Sequence, residues 1–267
     1  MDIAKITADL TNAVRGGVPI SLSTLAQHHG YSKWHLSREF RRHTGYSIRE
    51  YIEALKIQCG VENLDEHGMN VSDSAAASGY ASLGTFSNTF HQHTGLKASS
   101  YNTESRSALH LLTRILDRKG TLYHHEPVPH DAVAESTITI SAIYPNDYQP
   151  HITCIGLFPT GIPKGPPIVG AALFRHTQVT LPRIPAGNYY LLACDLQFTT
   201  PYSQVVRENF RQKVDQPLQF PATSGQHFTL HMRPPIPEDP PITMNFPALI
   251  SRTIQARIKQ KHNHRNS

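Results

Sequence analysis

The chain is poor in the residues that would staple a small secreted fold or hold a structural metal. It has three cysteines in 267 residues, Cys59, Cys154 and Cys194, too widely spaced for a disulfide framework or a zinc motif. No apolar run is long enough to span a bilayer, and the stretch after Met1 is amphipathic, without the apolar core of a signal peptide. These absences lead us to expect a cytoplasmic protein with no membrane partner. There is no Gly-rich phosphate loop, nucleotide signature or Ser/His/Asp motif. We therefore expect no catalytic residue, no cofactor and no metal, and a protein that is not an enzyme.

What is present is an excess of positive charge, a net +5 with a pI near 9.1. Its distribution removes the simplest inference from it. Residues 1–102 hold nine Lys/Arg and nine Asp/Glu, so the excess lies in the remainder. Only local clustering can support binding to nucleic acid.

The first hundred residues carry helical patterning. Ile3, Ile6, Leu10 and Val14 recur at helical spacing, and Gly16-Gly17 ends that run. Ser21, Ser32 and Ser47 stand where N-caps belong, before 22–29, a helix ending at Gly45, and a longer helix to about Leu64. Two short helices follow near 72–78 and 82–94. The sequence Gly30-Tyr31, Leu36, Phe40, His43-Thr44-Gly45, Tyr51 recurs as Gly79-Tyr80, Phe86, Phe90, His93-Thr94-Gly95, Tyr101. Repetition at that period signals a duplicated supersecondary unit, and helix-Gly-helix with a polar second helix is the helix-turn-helix pattern.

In the helix after Ser32, Leu36 and Phe40 form the core side. Trp34, Ser37, Arg38 and Arg41 fall on the opposite face, where side chains can read base edges in a major groove. Arg38 suits bidentate donation to guanine, Trp34 covers a sugar or a thymine methyl, and Ser37 makes a weak base contact. Lys33, Arg41 and Arg42 suit phosphates, as do the free amides near Ser32. A solvated charged face is the competing reading of the same residues.

These motifs strongly resemble the AraC/XylS regulators, and within them the MarA/SoxS/Rob subgroup. The resemblance covers residues 3–102 and runs from Gly30-Tyr31-Ser32-Lys33-Trp34-His35-Leu36 through Gly79-Tyr80 to Tyr101. It implies two helix-turn-helix units joined by a long helix, seated in successive major grooves of double-stranded DNA ~34 Å apart. It also implies base contacts by Trp34, Ser37 and Arg38, and RNA polymerase as a partner. The second unit departs from the family pattern. Its helix 82–94 has no Lys or Arg, Gly84 replaces Trp34, and Asn88 replaces Arg38. Ala98, Ser74, Lys56 and Gly60 replace the family's usual proline, apolar residue, arginine and alanine. We expect a weak reader using Thr85, Ser87 and Asn88 at bases, with Ser82 and His91 at the backbone. The alternative is a second unit that has ceased to read DNA.

Beyond this the pattern changes. A helix is expected over 103–119 on Leu109, Leu112 and Leu116, then a linker to 135 in which His124, His125, Glu126 and His130 are solvated, the alternative being metal ligation, for which no second cluster completes a site. Strands are expected over 137–144, 152–158, 178–181, 189–198 and 226–232, from β-branched and aromatic residues bounded by Pro and Gly. The segment 202–214 reads as either a helix or an irregular crossover. Cys154 and Cys194 sit in apolar strands, where thiols are usually inert, redox sensing being the alternative reading. The run Val179 to Ala193 resembles a hairpin of transthyretin-like, carboxypeptidase-regulatory β-sandwiches.

The expected fold is multidomain: an all-α double helix-turn-helix domain (1–102), a connector helix and linker (103–135), a mainly β, sandwich-like domain (136–250) and a basic tail (251–267). The β-domain reads as an interaction or homodimerisation module. Its alternatives are a sensor for a small-molecule effector or an enzyme domain fused to a DNA reader. A fragment 1–102 is expected to fold alone.

Overall fold

The structure is a computed structural model. It describes residues 1–113, 119–127, 135–197, 209–243, 245 and 247–249, with the side chains of 109 and 111–113 excluded. Seven helices come first: α1 (Ile3–Arg15), α2 (Leu22–His28), α3 (Lys33–Thr44), α4 (Ile48–Asp65), α5 (Val71–Ala77), α6 (Leu83–Thr94) and α7 (Tyr101–Thr113). Nine strands follow: β1 (Gly120–His125), β2 (Ser136–Ile143), β3 (Ile152–Phe158), β4 (Val169–Phe174), β5 (Gln178–Ile184), β6 (Gly187–Leu196), β7 (Arg211–Lys213), β8 (Leu218–Phe220) and β9 (His227–His231). A helical region followed by a strand-rich one is the fold class read from the sequence.

The helix starts have a common cause. Ser21, Ser32, Ser47, Asn70 and Ser82 each turn a side-chain oxygen to a free backbone amide of the first turn. Ser47 and Glu50 complete a reciprocal capping box on α4. The helices α3 and α6 end identically, on Gly45 and Gly95 with φ of +83° and +73°. Left-handed backbone at a helix end is cheap only for glycine.

Each unit has its own core. Ile6, Leu10, Leu36, Phe40, Tyr46, Ile48 and Tyr51 form the first, with Tyr46 stacked on Tyr51 and Phe40 edge-on to both. Ile57, Val61, Phe86, Phe90, Leu96 and Tyr101 form the second. The helix α4 enters both. Two departures from the family pattern accommodate one another here. Gly60 lets Phe86 approach so closely that a Cβ would stand 2.8 Å from its ring, and the Ser74 hydroxyl donates to the Gly60 carbonyl at 3.1 Å.

The strands form two sheets, ordered β1-β4-β3-β6-β7 (with β8 also on β6) and β5-β2-β9. Their inner faces meet over Ile138, Ile140, Ile155, Leu157, Leu173, Leu181, Leu191 and Leu230, which makes a β-sandwich. Three sequence expectations are corrected. Residues 120–125 are no linker: β1 pairs with β4 in unbroken register from Gly120–Phe174 to His125–Val169. His124 and His125 are accordingly half-buried, bonded to Glu126 and to the Pro182 carbonyl, rather than solvated. Of the segment 202–214, read as helix or crossover, 202–208 lie outside the described residues and 211–213 form β7 on the edge of the sheet. The short β4, β7 and β8 gave too little alternation to be read. The residues Leu116, His130 and 251–267 lie outside the described chain.

A candidate DNA-reading surface and its support

The helix α3 offers its outer face to solvent. Ser32, Lys33, Trp34, Arg38, Arg41 and Arg42 are exposed and Ser37 is half-buried. Trp34 is 83% exposed, an unusual position for the chain's one tryptophan. Glu39 organises this face. Its carboxylate accepts from Arg38 Nε at 3.3 Å and Arg42 Nε at 2.9 Å, and these guanidinium groups, Arg42 first, hold its pKa below the usual carboxylate range. Two of the arginines are thus held side by side along the helix.

The outer face of α6 is differently equipped. Ser82, Gly84, Thr85, Asn88, His91 and Gln92 are exposed and Ser87 is half-buried, so the positions match those of α3 without its cations. His93, at the place of His43, points inward. It is 1% exposed and its Nε2 meets Glu53 Oε1 at 2.9 Å. Lys56 holds the turn between α5 and α6, donating to the Gly79 carbonyl at 2.7 Å with its ammonium over the Tyr80 ring.

Sequence reasoning missed what lies behind these helices. The loop 159–168 between β3 and β4 touches both units. Gly161 sits against Tyr46 and the Thr44 carbonyl at the end of α3, and Ile162 is buried in the first helical core. Lys164 Nζ reaches Glu53 on α4 at 2.7 Å, and the Gly165 amide donates to the His93 carbonyl near the end of α6 at 3.1 Å. Lys213 of β7 donates to the Thr44 carbonyl at 2.8 Å and lies over the Tyr46 ring. Burial pulls the Lys213 pKa down, but a cation here opposes the negative end of the α3 dipole. Tyr46 Oη donates to the Glu238 carbonyl at 3.0 Å. Ala248 enters the second helical core and Ile242 packs against it, completing the contact. The one signal in the sequence was the strand Tyr189–Cys194, apolar on both faces. Its second face is covered partly by the helical region: Tyr190 lies against Gly45.

Among the described residues, one group brings three donors of the kind that ligate metals within 4.8 Å of one another: Asp9, His28 and His29. Their arrangement ties α1 to α2 through His29 Nε2 to Asp9 Oδ2 at 3.0 Å. No helix among the described residues is long and apolar enough to cross a membrane.

Comparison with known proteins agrees with this geometry. A family model described as a helix-turn-helix domain matches residues 25–104. The probable transcription factor PqrA of Proteus vulgaris is 35% identical over 28% of this chain and 61% of its own length. The HTH-type transcriptional activator AarP of Providencia stuartii is 34% identical over 36% of this chain and 67% of its own. The multiple antibiotic resistance protein MarA of Escherichia coli strain K12 is 32% identical over 31% of this chain and 65% of its own. The chain thus spans about two thirds or less of each relative, and in each case the match covers well under half of the chain itself. With two capped helix-turn-helix units on one connecting helix, the chain belongs to the AraC/XylS family of DNA-binding transcription regulators and is most like the subgroup of MarA and Rob.

Proposed function

We propose that the protein binds double-stranded DNA sequence-specifically, with α3 as the principal reader and α6 as a weaker one, and that the strand-rich region holds the two units in fixed relation. The observation that carries this is the contrast of two equivalent faces. One exposes Trp34, Arg38, Arg41 and Arg42 with Lys33, and the other exposes Gly84, Thr85, Asn88, His91 and Gln92. Neutralising phosphates supplies much of the affinity for DNA, through counterion release, so the cationic face dominates. Arg38, Trp34 and Ser37 contact bases. Lys33, Arg41, Arg42 and the α3 amides near Ser32 contact the backbone. On the second helix Thr85, Ser87 and Asn88 face bases, while Ser82 and His91 face the backbone.

The strand-rich region acts as an interaction module, and its first partner is its own DNA-binding region. Contacts at the ends of α3 and α6 support this, because a change in their spacing would move one helix out of its groove. A second reading, in which this region senses a small molecule, is favoured by an apolar cavity partly walled by Pro240, Ile242 and Leu249, of which Ile242 also packs on the second unit. Contact with RNA polymerase remains part of the proposal through the family alone. Binding of labelled duplexes by wild type and Arg38→Ala tests the reading. Loss confined to specific sites supports it, and equal loss on specific and random DNA contradicts it.

A further inference from the structure

The face of the six-stranded sheet turned away from the sandwich core carries a row of three cross-strand neighbours. Cys154 of β3 pairs with Cys194 of β6, and Cys194 pairs with Arg211 of β7. The Asp195 amide donates to the Phe210 carbonyl at 2.8 Å and the Val214 amide to the Leu191 carbonyl at 2.9 Å. Residues 191 and 195 therefore turn their backbone groups to β7, and Cys194 turns its own to Cys154. In such an antiparallel pair the Cα atoms stand ~5.5 Å apart, the spacing that disulfides most often bridge.

Both thiols are free, only partly buried, and line one cavity of about 120 Å³. Leu122, Ala172, Leu192 and Leu196 make its floor apolar, and Pro240, Ile242 and Leu249 of the covering segment contribute to its wall. Close-packed interiors lack voids of this size, and apolar ones admit small apolar molecules. The thiols are unequal. Cys194 stands in the row between Cys154 and Arg211, and the hydrogen bond from Cys154, with the Arg211 charge, pulls its pKa down.

We propose that Cys154 and Cys194 form an oxidation site for small organic hydroperoxides, with Cys194 as the attacking sulfur and Cys154 as the resolving one. The Cys194 thiolate attacks the terminal oxygen of ROOH. The S–O bond forms as the O–O bond breaks, and the alkoxide leaves as ROH after taking a proton. Cys194 is then a sulfenic acid. The Cys154 sulfur attacks the Cys194 sulfur, the S–S bond forms, and the hydroxide leaves as water with the Cys154 proton. The peroxide gains two electrons and each sulfur gives one. The apolar walls favour an alkyl hydroperoxide over hydrogen peroxide. Cys59 is absent from the cavity lining, packs at the edge of the first helical core, and is an internal control.

The test treats the reduced full chain with tert-butyl hydroperoxide, alkylates remaining thiols under denaturing conditions and maps the peptides by mass. The expected product is a Cys154–Cys194 cross-link lighter by two hydrogens, with Cys59 still alkylated, formed faster than with hydrogen peroxide. Cys154→Ser should leave a sulfenic acid on Cys194 that dimedone traps, and Cys194→Ser should leave Cys154 reduced. Mapping of the wild type needs no variant, so a misfolded variant leaves the test intact. Three results would overturn the proposal: all three thiols alkylated after exposure that fully oxidises dithiothreitol, reaction at Cys59 alone, or faster reaction with hydrogen peroxide.

Discussion

Gly45 and Tyr190 meet so closely that a Cβ on Gly45 would stand 2.8 Å from the Tyr190 ring. One residue is the C-cap of α3, and the other lies on the sheet 145 positions later in the chain. The end of α3 is thus a docking point for the strand-rich region. Gly45→Ala should destabilise by more than ~1 kcal/mol, because its φ is +83° and because of the clash. Thermal unfolding of Gly45→Ala, Tyr190→Ala and the double variant separates the two causes. The cost of Gly45→Ala should shrink when Tyr190 is truncated, leaving the backbone part. An unchanged cost would show that the ring can move aside.

A second prediction concerns acid. The hydrogen bond from His93, joined by that from Lys164, holds the Glu53 pKa at about 2 instead of 4.5. A depressed carboxyl stabilises the fold above its ordinary pKa, and that contribution fades as pH falls from about 4.5 toward about 2. Glu53→Gln should therefore lower the unfolding midpoint at pH 7, with a smaller difference from wild type at pH 3. A difference that does not change with pH would remove Glu53 as the cause.

Truncation gives a third. A fragment 1–113 lacks Ile162, Ile242 and Ala248, which enter or pack on the helical cores, and the partners Glu238 of Tyr46, Lys213 of Thr44 and Lys164 of Glu53. It should show helical circular dichroism yet melt at lower temperature than the helical part of the full chain. Equal melting would make the interface energetically idle.

Phosphate contacts give a fourth. Lys33→Ala and Arg41→Ala should each weaken binding to all duplexes alike and reduce the salt slope by about 1. Arg38→Ala should cost about 1–3 kcal/mol on the specific site only and relax preference at one base. Salt titrations on specific and random duplexes distinguish these patterns.

The helices were legible because their signals are local. Ser32, Ser47 and Ser82 cap where they stand, Gly45 and Gly95 end helices by their own backbone freedom, and Leu36, Phe40, Phe86 and Phe90 repeat with one period. The second half was less legible because its meaning is non-local. β1 reads as a histidine-rich linker until β4 is placed beside it. The loop 159–168 reads as Pro/Gly punctuation, yet Gly161 and Gly165 are the residues that let backbone approach the ends of α3 and α6. Tyr190 and Cys194 signalled a strand buried on both sides, but nothing in their spacing says what covers the second face. His93 is similar: its neighbour His91 is exposed, and only the fold shows that Glu53 awaits the inner one.

The central claim is that the first unit dominates DNA reading while the second follows. It is tested most directly on duplexes whose two half-sites are scrambled one at a time, with full-length protein. Scrambling the half-site under α3 should reduce binding to the level of random DNA, and scrambling the one under α6 should cost far less. Equal losses at both half-sites, or a larger loss at the second, would contradict the account.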